Sequence, residues 1–266
     1  MDSDPTRRFS SRVDDYIRYR PSYPEAIVAL LERECGLRPE AKVADIGSGT
    51  GFFAALFLRF GCRVYGIEPN TEMRLAGERV LEAEPGFQSI DGRAEATGLP
   101  DASVDFVTAG QAFHWFDLTA ARAEFRRILK PGGWVVLAWN ERLVEGRFLE
   151  EYEALLDRYG PDYARIDHRR MDAGVMDGFF GAGNWRLASF PNEQRFDLTG
   201  LLGRLHSSSY APPAGTEAYS RINEEIAALF AECQQEGLVA FRYETKVYYG
   251  RLGWQAKAPA PPLRDY

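Results

Sequence analysis

The chain has 266 residues, 45% hydrophobic and 27% charged, enough to bury a full core. A formal net charge of −7 and a sequence pI of about 5.2 give a surface that repels phosphate backbones, so no nucleic-acid partner is expected. The longest apolar run, Phe52 to Leu58, is far too short to cross a bilayer, and Met1-Asp2-Ser3-Asp4-Pro5 lacks the basic start and apolar core of a secretory leader.

The first notable segment in chain order is Tyr16-Ile17-Arg18-Tyr19-Arg20-Pro21-Ser22-Tyr23-Pro24, which crowds tyrosines and arginines where a plain amphipathic start would suffice. Ser22-Tyr23-Pro24-Glu25 has the spacing of a capping box with proline in the first turn, predicting a helix start. Strands are predicted at Lys42–Ile46, Val64–Glu68, Phe87–Ile90, Asp105–Ala109 and Trp134–Trp139, alternating with helices at about 51–60, 71–82 and 118–129. Pro131-Gly132-Gly133 marks a turn. That alternation predicts an α/β fold, a parallel sheet with helices on both faces, whose ligand sits beyond the C-terminal strand ends. Asp45, Glu68, Asp91 and Gly110 fall at those ends.

The second half is less regular. Residues 148–159 read as a helix with Leu149, Tyr152, Leu155 and Leu156 on one face. Residues 160–184 show little periodicity, 198–206 and 217–235 read as a helical pair, and 241–252 as a strand. The middle portion is expected to be a cap inserted before the final strands, and the Ala- and Pro-rich stretch near 256–262 a flexible tail. Nothing in the composition forces two domains. The expected division of one domain over 1–266 is a gate at 8–24, a ligand-binding core at 25–140, cap insertions at about 141–184 and 198–235, the last strand, and a tail at 256–266.

Val43-Ala44-Asp45-Ile46-Gly47-Ser48-Gly49-Thr50-Gly51 is a strand, a glycine turn and a helix start, which lets a backbone approach a nucleotide-like ligand. Glu68, seventeen residues after Gly51, is placed to accept hydrogen bonds from both hydroxyls of a ribose. The dinucleotide fingerprint G-x-G-x-x-G fails at its third glycine, where Phe52 stands, and no lysine follows to make a phosphate loop. Asp45 would repel a pyrophosphate but attract an ammonium. S-adenosylmethionine (SAM) carries a ribose, no phosphate and a free amino-acid end, so the spacing favours SAM over NAD.

Asp45 to Gly51, followed by Ile67-Glu68-Pro69, resembles the first two motifs of the class I SAM-dependent methyltransferases. Gly92-Arg93-Ala94-Glu95 with Leu99-Pro100-Asp101, then Val104-Asp105-Phe106-Val107, then Ile128-Leu129-Lys130-Pro131-Gly132-Gly133, resemble the next three landmarks in order. The similarity covers roughly residues 8–140 and is closest to the type 11 group, small-molecule enzymes of the trans-aconitate type among them. It implies a Rossmann-like, seven-stranded, mostly parallel sheet with a largely helical cap. It also implies SAM as cofactor, S-adenosylhomocysteine as product, no metal, and a small-molecule acceptor, most simply an oxygen of a carboxylate or hydroxyl. One departure concerns the third motif, where Arg93 stands in place of an aspartate that meets the adenine amine. Glu95 or a backbone carbonyl would then supply that acceptor.

The expected cofactor set is Asp45, Gly47, Ser48, Gly49, Gly51, Glu68, Pro69, Ala94, Glu95, Gln111 and Ala112, with Tyr16 and Arg20 closing over the ligand as a gate. The expected substrate set is Tyr19, Tyr23, His114, Trp115, Trp139, Arg204 and Ser209. His114 is the candidate general base; its alternative is a local hydrogen bond or a part in pocket shape. Phe113, Trp115 and Phe116 form either an aromatic wall beside the sulfonium or ordinary packing. His168 and His206 have no metal-ligand spacing, and Ser207-Ser208-Ser209-Tyr210 has no nucleophile-elbow context. Cys35, Cys62 and Cys233 are odd in number and far apart, which suits reduced thiols in a cytoplasm. A monomer or homodimer without membrane attachment is expected. Two other readings stay open: a catalytically silent SAM-binding regulator and an NAD-dependent oxidoreductase.

Overall fold

A computed structural model describes residues 17–160, 172–208 and 211–253. Strands that are apolar on both faces can only be the middle of a covered sheet. β1 (Lys42–Ile46) and β4 (Val104–Gly110) are such strands and lie side by side. Around them are β2 (Arg63–Ile67), β3 (Phe87–Ile90), β5 (Leu129–Arg142), β6 (Trp185–Phe196) and β7 (Val239–Gly250). The order is β3-β2-β1-β4-β5-β7-β6; β1 to β5 pair in parallel, and β7 is antiparallel to both β5 and β6. The chain leaves β1 toward β2 and returns to β4 on the other side. The crevice of this topological switch opens above the C-terminal ends of β1 and β4.

Helices cover both faces. α1 (Ala26–Cys35) and α2 (Phe52–Arg59) pack on one, burying Ile27, Leu31, Phe53 and Phe57. α4 (Leu118–Ile128) and α6 (Ala173–Phe180) pack on the other, with Phe113, Phe125, Phe179 and Trp139 in mutual edge contact. α3 (Thr71–Val80) follows β2 and begins at an Asn70 cap, whose side-chain oxygen accepts from the Met73 amide. α5 (Arg147–Tyr159), α7 (Leu198–His206) and α8 (Glu217–Cys233) form a cap on a third core. They bury Leu149, Tyr152, Leu155 and Leu156 of α5 against Phe196 of β6 and Phe241 of β7. None of the helices among the described residues is long and apolar enough to cross a membrane.

Several expectations change. Ser22 caps no helix: α1 starts at Ala26, its first residue follows Glu25 without a side-chain cap, and the Ser22 carbonyl is engaged elsewhere. The seventh strand is β6, within a stretch where no strand was expected. It lies at the sheet edge, alternates polar residues and carries Pro191, which only an edge strand accommodates. α6 is not cap but core, although Gly174 and Gly178 weaken its helical signature. The Pro131–Gly133 turn sits inside β5 as a bulge: Leu129 pairs with Val104, and the register resumes at Trp134 with Phe106. The proposed tail at 256–266 lies outside the described residues.

Phe113 is fully buried beneath α4 and α6. Phe113→Ala is expected to lower stability by about 3–5 kcal/mol in urea unfolding, as truncating a buried aromatic side chain does.

Candidate active site

Glycines let the turn after β1 bend back over the strand end. Gly49 has φ of +55°, a left-handed conformation that a side chain strains, and a Cβ there would approach the Met73 methyl to 3.3 Å. The turn is fastened to the neighbouring strand. Glu68, at the end of β2, accepts the Gly49 amide at 2.9 Å on one carboxylate oxygen and the Asn70 amide at 2.9 Å on the other. Burial raises its carboxyl above the usual range, an effect the two amides and Arg74 oppose. Each oxygen keeps a second lone pair for a ligand hydroxyl. Pro69 joins this carboxylate directly to the Asn70 cap of α3.

Asp45 lies at the core of the crevice, 1% exposed. Its Oδ1 accepts the Thr108 hydroxyl at 2.8 Å, from the residue opposite it on β4. Among the described residues no donor meets its Oδ2 at hydrogen-bond geometry, although the Ala54 amide lies near the carboxylate. Burial pushes this carboxyl up to about 7, only partly offset by the Thr108 hydroxyl and the Ala54 amide. An unsatisfied buried carboxylate oxygen is costly, and a cation beside it removes the cost. The donor's ammonium is such a cation. Together with the glycine turn and Glu68, the residues present fit SAM.

The other wall of the crevice is the turn after β4. Gln111 adopts φ of +57°, uncommon for a residue with a side chain. Two bonds hold it to β5: its amide donates to the Ala138 carbonyl at 2.9 Å and its Nε2 to the Asn140 carbonyl at 3.2 Å. Ala112 follows, so close that a Cβ on Gly47 would meet its methyl at 2.6 Å. Of the three aromatic residues beyond, Phe113 is core packing. Phe116 approaches Gly47, with ring carbons 3.7 Å from where a Cβ would stand, and Trp115 is exposed. His114 is also exposed, its ring tilted against that of Trp115 at 4.7 Å.

The expected adenine contacts lie on a loop that α4 holds. Glu124 accepts the Thr97 amide and hydroxyl, at 2.8 and 2.6 Å. The Arg127 guanidinium beside Glu124 draws its carboxyl down to about 2. Ala94 is buried, and Glu95 accepts the Asp117 amide at 2.9 Å through one oxygen. Arg93 is exposed, bridged to Ala96 through the backbone.

Tyr19 and Tyr23 are buried, not free to line an open pocket. The Tyr23 hydroxyl packs on Gly110, 2.4 Å from where a Cβ would stand, and its ring lies 4.5 Å from that of Phe53. Tyr19 lies on Gly203 of α7 and meets Phe196 edge-on. Arg20 donates to the Ser207 carbonyl and Arg204 to the Ser208 hydroxyl, so two guanidinium groups reach one end of α7. Trp139 is 3% exposed in the α4–α6 core, on the sheet face opposite Asn140, with its ring edge-on to that of Phe113. His206 bonds to Asn223 in the cap. Tyr16, His168, Ser209 and Tyr210 lie outside the described residues. Sequence reasoning missed Thr108, Met73 and Asn140. The first left a trace, a hydroxyl inside an otherwise buried apolar strand.

The methyltransferase domain family matches residues 44–137, the segment that builds this crevice. An uncharacterized methyltransferase of Mycobacterium tuberculosis is 37% identical over 153 residues, 57% of this chain and 60% of the relative. The chain thus spans less than two thirds of that relative's length. An uncharacterized methyltransferase of Schizosaccharomyces pombe is 28% identical over 251 residues, covering 91% of this chain and 96% of its own. Among solved structures, a candidate type II methyltransferase from Anaeromyxobacter dehalogenans superposes with a TM-score of 0.67 at 26% identity, over 88% of this chain and 98% of that one. With the five motifs, the strand order and the crevice, these likenesses converge: residues 44–137 match the methyltransferase domain family, and the chain is similar over most of its length to class I SAM-dependent methyltransferases.

Proposed function

We propose that this protein transfers a methyl group from SAM to an oxygen of a small-molecule acceptor enclosed between the crevice and the cap. The observation that carries the reading is Asp45, buried with one oxygen unsatisfied where the donor's ammonium would lie. When bound, the sulfonium supplies a methyl group that leaves by in-line displacement, so orientation and exclusion of water dominate the rate. Asp45 and the Gly47–Gly51 turn hold the amino-acid end, Glu68 the ribose, and the Ala94–Glu95 loop the adenine. Gln111 and Ala112 set the side of the crevice from which the acceptor approaches.

A carboxylate acceptor is favoured over a hydroxyl. It needs no general base, and His114 is exposed rather than enclosed with the reacting atoms. Arg20 and Arg204, gathered at the end of α7, offer guanidinium groups suited to a carboxylate. Methyl-labelled SAM incubated with a metabolite pool tests this directly. Base-labile label released as methanol identifies a methyl ester; label stable to base points to an ether, and no incorporation supports a silent binder. A pH–rate profile unchanged in His114→Ala is expected; an activity loss at neutral and higher pH that fades at low pH, where an imidazole is already protonated, would restore the histidine as base.

The donor site yields three further expectations. Gly49→Val places a branched side chain in a left-handed turn beneath the ligand. It should abolish SAM binding in calorimetry while costing only about 1–2 kcal/mol of stability. Glu68→Ala should weaken SAM binding by about 1–3 kcal/mol through lost ribose contacts.

The third concerns pH. The folded Asp45 carboxyl titrates near 7 against an ordinary value of 3.8, so folding favours its protonated form. Its contribution to stability is full below pH 3.8, is lost as pH rises toward 7, and is flat above. Asp45→Asn should therefore gain about 1–3 kcal/mol over wild type at pH 8 relative to pH 4 in denaturant unfolding, and lose SAM affinity. In wild type, SAM affinity should rise from pH 5.5 to 7.5 as the carboxylate ionises.

A further inference from the structure

Asn140 of β5 and Asn192 of β6 converge on one main-chain carbonyl outside the sheet, that of Ser22, and Thr245 of β7 holds Asn140 from behind. The Thr245 hydroxyl, fully buried, donates to Asn140 Oδ1 at 2.5 Å. Asn192 Nδ2 donates to the same oxygen at 3.1 Å and to the Ser22 carbonyl at 2.8 Å. Asn140 Nδ2 donates to that carbonyl at 3.3 Å. With two donors on its oxygen and a carbonyl before its nitrogen, the Asn140 amide has one satisfied orientation.

Ser22 belongs to a strap, residues 17–24, that runs between α3, the cap and the end of β4. Ile17 packs on Met73 and Ala76 of α3; Tyr19 lies on Gly203 of the cap; Tyr23 seats on Gly110 and Phe53. Gln194 of β6 adds a bond to the Tyr19 carbonyl at 3.3 Å. The strap thus touches both rims of the crevice, and its middle is tied down at Ser22. On the opposite side, the Asn140 carbonyl accepts from Gln111, whose left-handed turn forms the crevice wall.

We propose that Asn140 is a positioning residue that fastens the strap and the Gln111 turn to the same point of the sheet, so that the bound donor leaves only when this latch opens. The proposal rests on the donor reading above. Asn140 acts through the two segments it holds, since its side chain is engaged by Ser22, Asn192 and Thr245 and its carbonyl by Gln111. A residue that merely filled the sheet would affect global stability without changing how long a ligand stays bound.

The test uses the full chain as wild type, Asn140→Ala and Asn192→Ala. Asn192 is half-buried on an edge strand, so its variant keeps the test valid if Asn140→Ala fails to fold. The first readout is trypsin cleavage after the exposed Arg18 without ligand, which reports strap opening. The second is the dissociation rate of S-adenosylhomocysteine. Both should rise roughly three- to tenfold in each variant, as expected for losing a hydrogen bond that closes a lid, with association little changed. Unaltered protection of Arg18 would show that these residues do not hold the strap. Faster cleavage with an unaltered dissociation rate would show that the strap does not retain the ligand, and would leave the donor reading intact. Failure of wild type to bind S-adenosylhomocysteine at all would overturn the donor reading and the coupling together, while the cleavage result still reported the latch.

Discussion

The arrangement at the C-terminal edge of the sheet depends on one constraint: the Asp45 carboxylate is kept out of water with one oxygen unsatisfied. Apolar strands on either side make its burial unavoidable, and only the Thr108 hydroxyl and the Ala54 amide soften it. A protein that gained nothing from this carboxylate would do better with an apolar residue of similar size. Beside a ligand ammonium the same group becomes an asset, because attraction between opposite charges is strong where water is excluded. The cost of burying this carboxylate and the attraction it would exert on a ligand cation have one origin, the exclusion of water.

The neighbouring features hold that site in shape. Glu68 uses its two oxygens to pin the glycine turn and the start of α3, so the residue proposed to meet the ribose is also the one that fixes the loop. Glu124 of α4 does the same for the third-motif loop by accepting the Thr97 amide and hydroxyl. The antiparallel β6–β7 pair, joined through α7 and α8, packs against the cap; Asn192 of β6 meets Ser22 and Thr245 of β7 holds Asn140. The Gln111 turn, the strap and the cap thus share contacts with β5 to β7.

How much of this was legible follows from how local each signal is. β1, β3 and α7 were placed residue for residue, because their apolar runs and flanking turns are decided within a few positions. The apolar stripe of α5 was legible for the same reason. β6 was not, since an edge strand carries mixed polarity and its identity depends on pairing with β7. The Ser22 capping box failed because a distant pair of asparagines claims that segment's backbone. Asp45 and Glu68 could be named from spacing alone, whereas Thr108, Met73 and Asn140 become site residues only through strand register and helix packing. Tyr19 and Tyr23, expected at the substrate, are buried against glycines far away in the chain, a contact no local pattern announces.

The central claim is that Asp45 exists to receive the amino-acid end of the donor. Calorimetry at pH 7.5 with S-adenosylhomocysteine and with 5′-methylthioadenosine, which lacks that end, isolates this contact in wild type and in Asp45→Asn. The account predicts tight binding of S-adenosylhomocysteine to wild type, much weaker binding of methylthioadenosine, and a gap between the two that shrinks in the variant. Equal affinity of wild type for both ligands, or a gap that Asp45→Asn leaves untouched, would contradict it.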